Sequence, residues 1–474
     1  MNYCNRWPRA ILALAVCAAS TAHALDPFDV YDTVPATPAG AQAHGSDGCV
    51  FGAPPTNPLS LNEAIERAMC ANPSTSEAWA TVKLQASRLG ISRSARLPTM
   101  SLSVERDASD QDTAVHGHPE LDSGGLQRYS SQQVLLNWAL LDLSREADIR
   151  SSEHLLAAAQ AGHALALLQV YADLTRQYFS AQTAAAALAS ASEIETTARA
   201  SHAAARDRVD RGVAPVSDAL QALTSLAEAT LQRQRALGTL RTATGALAFQ
   251  LGLRADTPLT LPAPDEQQNS VLPGVDDVSA MIELAEHTHP RILQAARQLD
   301  AALSRVDQAR ADTLPKLGLS LRAGHNSTPV IPAIGESALA SSSRTRAATL
   351  SITMPLFDGF ASNYRIDQAA HTAAVDRAQL EQARQAVAND IWSAWNDMTS
   401  ADQALKQSTV LRGIAVDSFN AANERYRAGV GSISDLLAAQ SALTNARERR
   451  LQATYEWQTA ATSLSARLGV IPLH

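Results

Sequence analysis

Residues 208–218, RVDRGVAPVSD, return 217 positions later as residues 425–435, RYRAGVGSISD. Both copies keep an arginine (Arg208, Arg425), a glycine (Gly212, Gly429) and a Ser-Asp pair (Ser217-Asp218, Ser434-Asp435) in register. A glycine can take the left-handed conformation that ends a helix. Pro215, Ser217 and Ser434 suit the start of a new one. Each copy therefore predicts a tight turn between two helices. Outward from these turns the offset persists. Asn72-Pro73 returns as His289-Pro290, Leu97-Pro98 as Leu314-Pro315, and Leu251-Gly252-Leu253 as Leu468-Gly469-Val470. Leu141-Asp142-Leu143 returns one position early, as Phe357-Asp358-Gly359. Landmarks in register over most of the chain mark a tandem duplication, and the period is too long for a solenoid.

Each half reads as helix, strand, loop, strand, very long helix, turn, long helix. A helix is expected over 61–96, capped by Ser60 with Glu63 three residues on and ended by Pro98. Its partner runs over 277–311. After each proline the hydropathy period becomes two. Met100, Leu102 and Val104 alternate with polar neighbours, as do Leu317, Leu319 and Leu321, and then Ala348, Leu350, Ile352 and Met354. Strict alternation gives a sheet with one apolar and one polar face. Strands are expected at about 98–106, 128–138, 315–323 and 346–356, separated by long loops over about 107–127 and 323–344. From Leu143 to Arg211 there is no proline and one glycine, Gly162; from Phe360 to Ala428 the pattern recurs around Gly413. Such runs make helices of about 100 Å at 1.5 Å per residue. Leu380, Val387, Ile391, Met398 and Leu405 sit at heptad-like steps, as coiled-coil packing requires.

Residues 1–24 have the layout of a secretory signal peptide: Arg6 and Arg9, an apolar run, and small residues ending at Ala24. No later segment holds enough uninterrupted apolar residues for a membrane helix. The net charge of −8 gives no basic face for nucleic acid. Residues 25–58 form a Pro/Gly-rich extension. The repeats follow over 59–253 and 276–470, joined by a linker over 254–275, with a short tail over 471–474. Cys49 and Cys70 are an even pair in an exported chain; they suit a disulfide or two free thiols.

Four strands cannot close a barrel, and open strand edges cannot exist in lipid. Two copies would supply eight strands, whose interior fills with side chains; three supply twelve, enough to leave a lumen. The expected fold is mostly α with a membrane β-barrel, built by several copies. No phosphate-binding glycine loop, zinc motif or serine elbow is present. His116 and His118 read as solvated loop histidines, and His287 and His289 likewise, because a metal site needs more ligands. Neither an enzyme nor a cofactor is expected.

Two strand pairs, each leading into a helix of about 100 Å, in a duplicated exported chain resemble the TolC-like outer-membrane factors, over about residues 59 to 470. The resemblance implies a homotrimer in the outer membrane, with a 12-strand barrel and a 12-helix tunnel in the periplasm. It implies an exit duct for type I protein secretion that works with a periplasmic adaptor and an inner-membrane ABC transporter. An exported RTX-type toxin is the cargo it suggests. A drug-efflux channel is the alternative, and a periplasmic coiled-coil adaptor a more distant one. It also implies that the turns carry the periplasmic gate. The gate residues are then Asp218, Asp435, Tyr426 and Gly431, with a Tyr426–Asp218 hydrogen bond as the latch. A basic residue of the family matches Gly431. Gly212, Val213, Gly429 and Val430 would face the adaptor. The first-turn position of Asp218 and Asp435 also complements the helix dipole without any gate.

Overall fold

The computed structural model describes residues 26–39, 49, 58–119, 123–262, 277–330 and 339–471. The signal peptide lies outside them, as do parts of the extension, the linker and the tail. Helices α1 (Leu61–Ala71) and α2 (Pro73–Ser94) lead to strands β1 (Thr99–Thr113) and β2 (Ser123–Leu141), then to α3 (Leu143–Asp210) and α4 (Val216–Gln250). The second half repeats this order as α5 (Val278–Thr288), α6 (Pro290–Ala311), β3 (Lys316–Val330), β4 (Leu339–Thr353), α7 (Ala361–Arg427) and α8 (Ile433–Arg467). The residues divide into two compact units.

The first unit combines Leu84–Leu156 and Arg297–Arg377 with the segment ending at Thr33. Its centre is one antiparallel sheet in the order β1-β2-β3-β4, open at both edges. Residues paired across a ladder share a face. Met100, Leu136, Leu321 and Ala348 thus form one row, and Leu102, Val134 and Ala323 continue it. The other face carries Ser101, Ser103, Glu105, Gln133, Arg322, Ser320 and Thr349, with Leu135, Ala139 and Ala347 among its apolar exceptions.

The strands outrun the boundaries read from sequence. β1 continues to Thr113, β2 begins at Ser123, and β3 runs on to Val330, so most of the two expected loops is ladder. Beyond Val104 and Ala323 both faces are mostly polar, with Ala108 and Leu126 as apolar members. The hydropathy signal fades there, while backbone N–H and C=O groups still pair. β4 ends at Thr353, earlier than expected, just before Pro355, which cannot donate to a ladder.

The single helix expected over 61–96 is two, and so is its partner. Asn72 and His289 adopt extended backbone (ψ 131° and 126°), and Pro73 and Pro290 each open a new helix. Ser74 N–H donates to Asn72 Oδ1 at 2.9 Å, which caps the second helix. The Ser60 cap is present, accepting from Glu63 N at 3.3 Å.

The second unit comprises Val34–Lys83, Ala157–Ala296 and Ala378–His474. Leu59, Ile65, Met69, Leu174, Tyr178, Leu247 and Leu251 form its largest apolar cluster. Full burial of such a side chain contributes roughly 1.5–3 kcal/mol. Tyr178 Oη donates to Leu59 O at 2.9 Å, and burial pushes this phenol up to about 12. The described part of the extension lies against the helices. In this unit Trp79 Nε1 donates to Pro35 O at 2.7 Å, and Cys49 is bonded to Cys70. In the first unit Arg93 Nη1 donates to Phe28 O at 2.9 Å. A disulfide closing a loop of this size contributes about 2–4 kcal/mol. The Cys49→Ser/Cys70→Ser variant should therefore melt several degrees lower in mild detergent, and reduction of the wild type should reproduce the shift. An unchanged melting midpoint would contradict this anchoring.

His289 corrects the expectation of a solvated histidine. It is buried, and its Nδ1 accepts from Arg291 N at 3.2 Å. Burial lowers its pKa; Arg291 and Arg467 lower it further, while Asp390 opposes them. A depressed folded pKa means that the neutral ring stabilises the fold above about 6.5, the unfolded value, and that this is lost as pH falls through the folded pKa. Thermal stability should therefore drop on acidification from pH 7, and His289→Asn should flatten that drop. An equal acid slope in both proteins would contradict it.

Candidate functional site

The two turns match in construction. At the first, Gly212 N–H bonds to Val209 O at 2.9 Å and Val213 N–H to Arg208 O at 3.0 Å. At the second, Gly429 N–H bonds to Tyr426 O and Val430 N–H to Arg425 O, at 3.0 and 3.1 Å. These bonds satisfy the last helical carbonyls only if the chain turns left-handed, and Gly212 and Gly429 have φ of +73° and +79°. Val213 and Val430, next in line, are 65% and 73% exposed. An apolar side chain held out at each tip is what a docking surface needs.

Pro215 stands at the start of its helix as expected, in the cap position, and Ser432 rather than Ser434 caps the other. Ser432 Oγ accepts from Asp435 N at 3.0 Å, whereas the Pro215 ring offers no acceptor. Asp218 and Asp435 both sit in the first turn, where a carboxylate favours the positive helix end by about 0.3–1 kcal/mol. The Asp435 carboxylate is exposed.

The hairpins are tied together within the chain. Ala205 and Ala222 of the first pack with Tyr426, Ile433 and Leu436 of the second. Arg208 Nη1 donates to Tyr426 O at 3.1 Å, and its guanidinium lies 4.8 Å from the centre of the Tyr426 ring. Further along, Arg447 pairs with Glu193 at 3.0 Å, and Gln232 Nε2 donates to Glu448 Oε1 at 3.1 Å.

Within one chain no Tyr426–Asp218 hydrogen bond is formed among the described residues. Tyr426 is 4% exposed, and its Oη has no hydrogen-bond partner among the described residues. Ala205, Ala222, Ile433 and Leu436 pack with it, and Arg208 covers a ring face. Burial raises the phenol pKa; the Arg208 charge opposes this and the Asp218 charge adds to it. A Cβ at Gly431 would lie 3.0 Å from Tyr426 N and 3.1 Å from Arg425 C, a tight fit in which the backbone would have to give by a few tenths of an ångström. Within the chain the guanidinium on Tyr426 comes from Arg208. Sequence reasoning missed that role, because an arginine in a last helical turn reads as a dipole complement. Among the described residues no group of three His, Cys, Asp or Glu side chains could hold a metal.

The sequence profile described as outer membrane efflux protein matches residues 64–253 and 281–470, one match per structural half. The chain belongs to this family. Protein CyaE of Bordetella pertussis is 31% identical over 442 residues, covering 92% of this chain and 90% of CyaE. The alkaline protease secretion protein AprF of Pseudomonas aeruginosa is 25% identical over 193 residues, 41% of this chain and 39% of AprF. Among solved structures, CusC superposes with a TM-score of 0.73 at 18% identity, covering 92% of this chain and 98% of that one. The protein is thus a TolC-like channel of the outer membrane, with its long helices in the periplasm. In that frame the hairpin turns are the periplasmic tips.

Proposed function

We propose that three copies form the exit duct of a type I protein secretion system, joined to an inner-membrane ABC transporter by a periplasmic adaptor. The carrying observation is the four-stranded sheet with one apolar face, one polar face and two open edges. Such edges are tolerated in lipid only when other strands pair with them. Val216, Leu220, Leu223 and Leu231 form an exposed apolar stripe on α4, which suits packing against a neighbouring copy. Protein export is supported by the likeness to CyaE over nearly the whole chain and by the secretion role in AprF's name. An RTX-type toxin is the cargo we favour. Asp435, one per copy, would place three carboxylates around the axis and favour cations. Gly212, Val213, Gly429 and Val430 are the surface offered to the adaptor.

The second reading, drug efflux, is favoured by the family's own description. Deletion of the gene separates the two. Loss of an exported protein from the medium with unchanged drug sensitivity supports secretion. Raised drug sensitivity with intact protein export would replace it by efflux.

A further inference from the structure

The ladder register exposes a feature of the sheet that transport does not use. On the apolar face the change of character steps along the ladder: Arg346 stands in the row of Leu102, Val134 and Ala323, Arg344 in the row of Val104, Arg106 in the next row and Arg128 in the one beyond. Val104 on β1 is followed, two residues on, by Arg106; Ala348 on β4 is followed, toward the loop, by Arg346 and then Arg344. On β2 the face passes from Val134 through Gln132 and Ser130 to Arg128. All four arginines are exposed. They form two pairs. Arg106 is diagonal to Arg128, since Ala108 faces Arg128 and Arg106 faces Ser130, and such neighbours lie about 7–8 Å apart. Arg344 and Arg346 are two residues apart on one strand, about 7 Å, and His325 stands directly opposite Arg344.

Like charges this close repel unless an anion joins them. None of the four arginine side chains has a hydrogen bond or ion pair among the described residues, whereas Arg96 is paired with Glu146 and Lys316 with Asp312 and Asp142. Asp110 and Asp112 share the face but lie further toward the loop, opposite Leu126 and Gly124. At the opposite end of the sheet, beside the long helices, stand Trp138, Phe357, Phe360 and Tyr364, the residue types of a membrane interface.

We propose that Arg106, Arg128, Arg344 and Arg346 form a basic belt that binds the phosphate groups of lipid headgroups in the leaflet at the loop end of the sheet. The inference rests on the proposed placement of the apolar face in lipid. Arginine suits the task, because its planar fork holds phosphate oxygens in pairs and stays charged. Each basic residue near an anionic surface strengthens binding about fivefold. The belt would fix the height of the barrel and hold a shell of anionic lipid around it.

The test uses the purified full-length channel in phosphatidylcholine nanodiscs, with diphosphorylated lipid A or its dephosphorylated form as probe. The wild type should bind the phosphorylated probe at least tenfold more tightly. The variant R106Q/R128Q/R344Q/R346Q should lose that preference while still forming pores, and R106Q/R128Q and R344Q/R346Q should each lose part of it. R322Q, on the opposite face, should keep it. Equal binding of the two probes by the wild type would overturn the belt, as would an undiminished preference in a pore-forming quadruple variant. If the wild type formed neither oligomers nor pores, the membrane placement itself would fail and the belt with it.

Discussion

Gly429→Asp is expected to lower protein export at least tenfold while oligomers still assemble. Gly429 has φ +79°, and nothing lies within 4 Å of a Cβ added there, so a side chain would project from the tip. Aspartate tolerates left-handed backbone better than most residues, at a cost of about 1 kcal/mol. That is too little to unfold helices of 67 and 35 residues. The substitution instead sets a carboxylate beside exposed Val430, and a docking partner would have to desolvate it. Gly429→Asn carries the same backbone strain without the charge and should keep most export. Secreted protein in the medium, compared with the oligomer band in membranes, gives the readout. Normal export by the Asp variant would show that the partner does not dock on this tip.

Arg208→Ala is expected to raise single-channel conductance in planar bilayers several-fold. The Arg208 side chain ties one hairpin to the next through the Tyr426 carbonyl and the Tyr426 ring. A charged hydrogen bond and a cation–π contact on a half-exposed group together contribute about 1–2 kcal/mol after solvent screening. That is a factor of roughly 5–30 in the tied-to-released ratio for each chain. Tyr426→Phe removes only an unbonded hydroxyl and should leave conductance nearly unchanged, in contrast with a Tyr426–Asp218 latch. Arg208→Lys keeps the charge but loses the planar stack, and should fall between wild type and alanine. Equal conductance in the Arg208→Ala channel would mean that this tie does not hold the hairpins.

The large features were legible because they repeat. The offset of 217 relates both turns and both long helices in the sequence itself, and alternating hydropathy marks the strands between them. Period-two hydropathy marked where the sheet changes from apolar to polar, but not where the strands end: past Val104 and Ala323 the ladder is held by backbone pairing that leaves no trace in hydropathy. The breaks at Asn72 and His289 are signalled by the prolines that follow, yet each uninterrupted run around them predicts one helix. At the tips, Gly212 and Gly429 were recognisable, because only a left-handed residue can close those turns. The Arg208–Tyr426 contact was not. It joins residues 218 positions apart, and no local pattern encodes which arginine reaches which ring.

The claim beneath all of this is that the sheet of one chain is incomplete and closes only with the sheets of others. Native mass spectrometry of the channel released from mild detergent tests it most directly. A particle of three chains is expected. A particle of one chain, folded and stable with both strand edges free, would contradict it.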